Sequence, residues 1–337
     1  MKAVGFQQPG TIEWQDALQD ITLEKPVAHG RDLLVEIKAV SVNPVDTKVR
    51  VNRQPQPDSW EILGYDAVGV VNAIGPAVEY FKVGDEVFYA GVINRPGTNS
   101  EFHLVDERIV GRKPINLSDS DAAALPLTAI TAWEMLFDRL EVLRPTVEGG
   151  KLILVIGGAG GVGSITLQLL RAMTDLTIIA TASRPETKQW VMDSGAHHVL
   201  DHSQPLAPQM EALGMGKPGF VFSTTQTDRH YSDIVEMIAP QGRFGLIDDP
   251  PTLDAKPLKM KSISLHWELM FTRPLFSTPD IDEQRTLLNQ VANLVEAGKI
   301  RSTATEVAGK INAANLKKVH AQLESKTTRG KVVLEGF

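Results

Sequence analysis

"VIGGAGGVGSITLQ" (Val155–Gln168) follows an aliphatic run and leads into a stretch with helical periodicity. Gly158, Gly160 and Gly163 satisfy a G-x-G-x-x-G spacing, directly after the strand-like "KLILVIG" and at the opening of "VGSITLQLLRAM". In that context the first glycine is expected to make the tight turn. The second lets the backbone approach a pyrophosphate, and the third permits close helix–strand packing. N–H groups at the helix start then face the phosphates. Gly158, Ala159, Gly160, Gly161, Val162 and Gly163 are therefore the expected cradle of a dinucleotide. The competing reading is a glycine-rich turn with no ligand.

The end of the next strand bears on which dinucleotide fits. An NAD site commonly carries an acidic residue about 20 residues beyond the glycines, on the ribose 2′-OH. Here the stretch is "IATASRPETK", with no Asp or Glu before Pro185. Ser183 and Arg184 stand at the strand end, before a helix N-terminus, with Lys188 one turn in. A hydroxyl, a guanidinium and a helix dipole suit a 2′-phosphate, so the expected cofactor is NADPH. The plainer alternative is a capping serine beside a solvated arginine.

Outward from the loop, strand and helix alternate. "LTIIATA" reads as strand and "PETKQWVMDSG" as helix, with Pro185 in its first turn and Gly195 as its stop. "HHVLDH", "GFVFSTT" and "GRFGLID" continue as short strands. This rhythm implies an α/β fold with a doubly wound parallel sheet. The first 120 or so residues are instead β-rich, with "DLLVEIKAVSV", "AVGVVNAIG" and "VGDEVFYAG" as strands punctuated by turns. "DAAALPLTAITAWEMLF" reads as a helix, and "ILGYDAVGVV" as an apolar strand-like run. Two amphipathic helices and a closing strand, "GKVVLEGF", complete the chain.

Composition narrows the function. The 337 residues suggest two domains, and 22% charged residues describe an ordinary globular chain. A net charge of −7 argues against nucleic-acid or anionic-membrane partners. The absence of cysteine removes disulfides and thiolate metal sites and fits a reducing cytoplasm. The N-terminus carries no signal-like apolar core, and the uncharged run Leu152–Leu170 reads as strand–turn–helix rather than a membrane span. His197, His198, Asp201 and His202 could in principle hold a metal. In a short strand and its exit, however, that spacing scatters the side chains, so no metal site is expected.

The order of motifs resembles the medium-chain dehydrogenase/reductase superfamily, and within it the zinc-free quinone oxidoreductase branch. The resemblance rests on "VSVNPVDTKVR", "LGYDAVGVV", "GDEVF", "LPLTAITAWEML", the glycine loop and the terminal "RGKVVL". It implies a GroES-like catalytic domain from residues 1–124 and 273–337, around a Rossmann domain at 125–272, with a cleft between them. Zinc alcohol dehydrogenases of the superfamily have Gly-His-Glu where this chain has Gly64, Tyr65 and Asp66, and their histidine binds catalytic zinc. Their first cysteine ligand falls in the segment matching Ser41–Asp46. The resemblance therefore implies a metal-free site in which Asn43 or Tyr65 donates to the substrate oxygen and Asp46 orients the loop. Taken alone, Asn43-Pro44 is a plausible turn, and Gly64-x-Asp66 is common turn chemistry.

By the same resemblance Thr128 lies by the nicotinamide, His202 near the adenosine end, and Lys331 among the cofactor contacts, while Trp133 is core. The edge strand "SISLHWELMF" (Ser262–Phe271) implies a homodimer. The expected activity is hydride transfer from NADPH to a quinone or an α,β-unsaturated carbonyl. A zinc-type alcohol dehydrogenase-like or enoyl reductase on another carbonyl, and a crystallin-like protein that binds NADPH without turnover, are the alternatives.

Overall fold

The structure is a computed structural model and describes all 337 residues, Met1–Phe337. The chain divides into two compact units, Met1–Ile130 with Phe271–Phe337, and Thr131–Met270. The expected breaks at 124/125 and 272/273 compare with boundaries at 130/131 and 270/271. The first boundary falls within the helix Pro126–Trp133, where no turn residue announces it.

The unit Thr131–Met270 is built on six parallel strands: Leu152–Ile156, Thr177–Thr181, His198–Leu200, Phe220–Ser223, Arg243–Leu246 and Ser264–Trp267. Counted along the chain, their order across the sheet is third, second, first, fourth, fifth, sixth. The direction of winding reverses between the first and fourth strands. At such a switch point, the carboxyl ends of the strands are where doubly wound sheets take ligands. All five residues of Leu152–Ile156 are buried, as a central parallel strand requires, which is why the sequence there is unbroken aliphatic. On the helix Gly161–Met173 that follows, Ile165, Leu167, Leu169 and Leu170 are buried as well.

The other unit is β-rich. Its seven-stranded sheet runs Ala304–Val307, Lys331–Glu335, Asp32–Ser41, Asp66–Ile74, Glu86–Ala90, Val110–Arg112, with Phe102–Asp106 also paired to Asp32–Ser41. A smaller sheet joins Gln19–Thr22, Lys2–Phe6 and Glu61–Ile62. The closing strand lies antiparallel to Asp32–Ser41, with Val333 opposite Ser41. That register brings Lys331 to the exit of Asp32–Ser41, across nearly the whole length of the chain.

Two expected elements are broken. "DAAALPLTAITAWEMLF" forms two helices, Asp119–Ala123 and Pro126–Trp133, then a wider turn over Glu134–Arg139. Pro126 has no N–H to continue the first helix, and the Leu125 amide closes back on the Ala122 carbonyl at 3.2 Å. "ILGYDAVGVV" is not one strand, because Gly64 takes φ +102° and the strand resumes only at Asp66. A Cβ at Gly64 would lie 2.5 Å from the Thr98 hydroxyl, so both backbone shape and space demand glycine.

Candidate functional site

The glycine loop stands at the switch point. Its tight turn belongs to Gly157, at φ +79°, rather than to Gly158 as the motif predicted. Gly158 serves packing instead, since a Cβ there would come within 3.0 Å of Ala180 Cβ and 3.1 Å of Val191 Cγ1. Gly163 has the packing role expected of it, with the Gly157 carbonyl only 2.3 Å from where a Cβ would be. Gly160 differs from both. A Cβ there would meet only the Gly157 carbonyl, at 3.6 Å, so the space beside it is open to a ligand. Gly160 is also the N-cap of Gly161–Met173 and has no side chain with which to cap it. The amides of Gly161, Val162 and Gly163 thus open a helix with no capping group, and Ala159, Gly161 and Val162 are partly exposed.

At the end of the second strand, the Gly157 amide donates to Thr181 Oγ1 at 3.0 Å. The Thr181 hydroxyl and His202 Nδ1 share a hydrogen bond at 3.1 Å whose direction follows the imidazole tautomer. Burial, and the nearby cations Arg229, Lys188 and Arg184, lower the His202 pKa against the partial opposition of Asp201, so the ring is neutral. His202 is thus a half-buried neutral imidazole tied to the glycine loop through Thr181. Thr181 escaped the sequence reading, although a threonine ending the strand beside a glycine loop was the available signal.

Ser183 is half-buried and its hydroxyl makes no hydrogen bond within the chain. Arg184 is exposed and pairs with Glu186 at 3.3 Å, while Lys188 pairs with Asp201 at 2.8 Å. The two cations expected to meet a phosphate therefore each have a carboxylate at hand.

The residues expected at the chemical end lie in the β-rich unit, around Asp66. This carboxylate is fully buried and takes four donors. Oδ2 accepts from Ser41 Oγ at 2.7 Å, Asn43 Nδ2 at 2.8 Å and Lys331 Nζ at 3.1 Å, and Oδ1 accepts from the Leu127 amide at 2.7 Å. The last bond anchors the start of Pro126–Trp133, where a carboxylate is well placed against the helix dipole. Thr128, one residue on, is buried and turns its hydroxyl to the Leu125 carbonyl at 3.1 Å.

Asn43 and Lys331 are committed to this cluster. Asn43 Nδ2 donates to Asp66 and, at 3.4 Å, to the Ser41 carbonyl. Its Oδ1 accepts from Lys331 Nζ. Asn43, expected as a donor to substrate, has no amide proton left to give. Lys331, expected at the cofactor, places its ammonium against Asn43 Oδ1, Asp66 Oδ2 and the Val42 carbonyl, which uses its three protons. Asp46 has the orienting role expected of it. Its carboxyl accepts from the amides of Asn43 at 2.7 Å and Gly64 at 2.9 Å, and burial pushes its pKa up to about 7.

Tyr65 is the exception. Its ring is buried, edge-on to Phe271 at 5.3 Å between centroids, and although the Arg53 guanidinium lies close enough to donate to its oxygen, its hydroxyl proton has no acceptor in the chain. Burial first, then the Asp46 carboxyl, pushes the phenol further above its usual pKa, so it stays protonated and is a donor. A buried hydroxyl whose proton has no acceptor costs about 1–3 kcal/mol and calls for an explanation.

Comparison with known proteins gives this geometry its context. Residues 29–114 match the alcohol dehydrogenase GroES-like domain, and residues 194–334 the zinc-binding dehydrogenase domain. A zinc-type alcohol dehydrogenase-like protein of Staphylococcus aureus is 39% identical over 336 residues, covering 99% of both chains. A mitochondrial NAD(P)H oxidoreductase of Homo sapiens is 30% identical, covering 92% of this chain and 83% of its own. A crystal structure from Rhizobium etli, provisionally named a zinc-dependent alcohol dehydrogenase, is 61% identical with a TM-score of 0.99, covering 100% of this chain and 98% of that one.

The zinc in these names does not fit the residues present. There is no cysteine, no group of three His, Asp or Glu side chains is arranged to hold a metal, and a lysine ammonium sits between Asn43 and Asp66.

Proposed function

We propose, for a chain that belongs to the medium-chain dehydrogenase/reductase superfamily of oxidoreductases, that it reduces a quinone or an α,β-unsaturated carbonyl with NADPH and without metal. The observation that carries this reading is the uncapped helix start behind Gly160, which lies open at the switch point of a doubly wound sheet. Gly158–Gly163 would hold the pyrophosphate, with His202 towards the adenosine ribose and Ser183 and Arg184 towards the 2′-phosphate. Thr128, on the helix that Asp66 anchors, is assigned to the nicotinamide side. The human relative named an NAD(P)H oxidoreductase supports a nicotinamide cofactor.

When bound, the cofactor supplies a hydride. The chain's own contribution is a donor for the charge that develops on the substrate oxygen. With both Asn43 amide protons engaged, that role falls to Tyr65 Oη, whose proton has no other acceptor. Asp46 fixes the Gly64 backbone beneath the phenol, and the proton is finally replaced from solvent.

We assign the protein to the cytoplasm as a homodimer paired through the edge strand Ser264–Trp267. No helix is long and apolar enough to cross a membrane.

The test is an NADPH-oxidation screen over simple quinones, enones and aldehydes. Steady turnover with a quinone or enone is expected. Tight NADPH binding with no turnover on any of them would overturn the catalytic reading in favour of a binding protein. Equal affinity for NADH and NADPH would overturn the cofactor assignment.

A further inference from the structure

Arg229 lies outside every motif read from the sequence, yet the fold carries it to the adenosine end of the proposed site. It stands in the first turn of Thr227–Met237, the helix that follows the fourth strand. Its neighbour His230 is buried, with its ring 6.2 Å from that of His202 between centroids. His202 is bonded to Thr181, and Thr181 to the Gly157 amide. The exits of the first, second and third strands and the start of the helix after the fourth therefore converge on one imidazole.

The charges there are unevenly paired. Arg184, Lys188 and Arg229 lower the His202 pKa, and Asp201 raises it. Arg184 has Glu186, and Lys188 has Asp201. Arg229 is exposed, and the one hydrogen bond of its guanidinium goes to the neutral Gln226 Oε1, at 3.4 Å. An anion arriving beside His202 finds Arg184 and Lys188 already shared with carboxylates, and Arg229 unshared.

We propose that Arg229 is a specificity-determining residue that binds the 2′-phosphate of NADPH from the helix after the fourth strand, opposite Arg184 at the start of the helix after the second. The inference rests on the NADPH reading above and extends it. A phosphate carrying about 1.5–2 negative charges then meets guanidinium groups from two helices, which a 2′-hydroxyl would not repay. Because Arg229 is exposed, its contribution lies at the lower end for a charge-assisted bond, about five- to tenfold in affinity.

The experiment titrates the parent protein and Arg184→Ala, Arg229→Ala and Arg229→Lys with NADPH and with NADH, following nicotinamide fluorescence. Thermal melts establish that each variant is folded. Arg229→Ala is expected to weaken NADPH about five- to tenfold and leave NADH unchanged, and Arg229→Lys to recover part of the loss. The inference is overturned if Arg229→Ala leaves NADPH affinity intact, or weakens both cofactors alike, while Arg184→Ala abolishes the preference. That result leaves the NADPH reading standing. A parent protein that binds both cofactors equally overturns that reading and this inference together.

Discussion

Replacing Lys331 by methionine tests the buried cluster directly. The side chain keeps most of its length and loses its charge. Asp66 is fully enclosed and would retain Ser41 Oγ, Asn43 Nδ2 and the Leu127 amide, three neutral donors at 2.7–2.8 Å. Breaking a buried ion pair by removing one partner costs about 3–5 kcal/mol, because the other charge is left uncompensated. The three remaining donors place this case near about 3 kcal/mol, and the Val42 carbonyl and Asn43 Oδ1 each lose a donor besides, for roughly 1 kcal/mol more. At about 2–4 °C per kcal/mol for a unit of this size, Tm should fall by roughly 8–15 °C. The measurement is thermal unfolding by circular dichroism for the parent, Lys331→Met, Asp66→Asn and the double variant. If the pair is the cause, Lys331→Met costs far less once Asp66 is neutral, with a coupling of roughly 2 kcal/mol or more. A loss that is the same in both backgrounds, or a Tm within about 2 °C of the parent, would refute the reasoning.

Tyr65→Phe should lower turnover with both a quinone and an enone by about five- to thirtyfold, less than loss of a donor from a fully formed oxyanion hole. NADPH affinity and Tm should hold, since the phenol proton has no acceptor to lose and Arg53, beside its oxygen, keeps its bonds to Glu61 and the Ile93 carbonyl; unchanged turnover with both substrates makes Tyr65 a wall. Glu268 is held up to about 9, first by burial and then by Glu134, although Arg139 bonds it at 2.8 Å. A carboxyl whose folded pKa lies above its ordinary 4.5 takes up a proton on folding, so its contribution to stability declines as pH rises from there towards 9. Glu268→Gln should therefore gain Tm relative to the parent between pH 5 and pH 9, and a pH-independent difference sinks the assignment. Purified protein should contain no stoichiometric zinc and keep its activity in strong chelator; one zinc per chain, lost together with activity, contradicts this. Light scattering at micromolar concentration should give a dimer, and a monomer would remove Ser264–Trp267 as an interface.

What was legible in the sequence is what short-range chemistry dictates. Gly158–Gly163 could be read because a strand, a glycine turn and a helix follow one another within a few residues. Gly195 ends its helix at φ +116° for an equally local reason. The division of labour among the glycines was less legible. The spacing singles out Gly158, but only the strands on either side make Gly157 the turn and Gly158 a packing contact. The split at Pro126 was a local signal outweighed by the apolar pattern around it. Lys331 and Asp66 are 265 residues apart, and nothing near either one announces the other. Asn43 looked free because its partners, Asp66 and Lys331, arrive from two other strands. Arg229 reaches the proposed site only through the winding order of the sheet.

The same cluster argues against a metal of the kind its relatives' names mention. A cation bound between Asn43 and Asp66 would need the oxygens that Lys331 Nζ now holds. It would have to displace a buried ammonium whose stem is enclosed along the closing strand, or sit beside it as a second positive charge. Two unit charges about 4 Å apart repel by roughly 4 kcal/mol near a protein surface, and more where water is excluded. A divalent ion doubles that opposition, with no thiolate or imidazole to offset it. Lys331 thus supplies within the chain the positive charge that Asp66 requires. In the proposed reaction the electrophilic help of a metal would fall to an uncharged group, and the Tyr65 hydroxyl, whose proton has no acceptor in the chain, is the proposed donor.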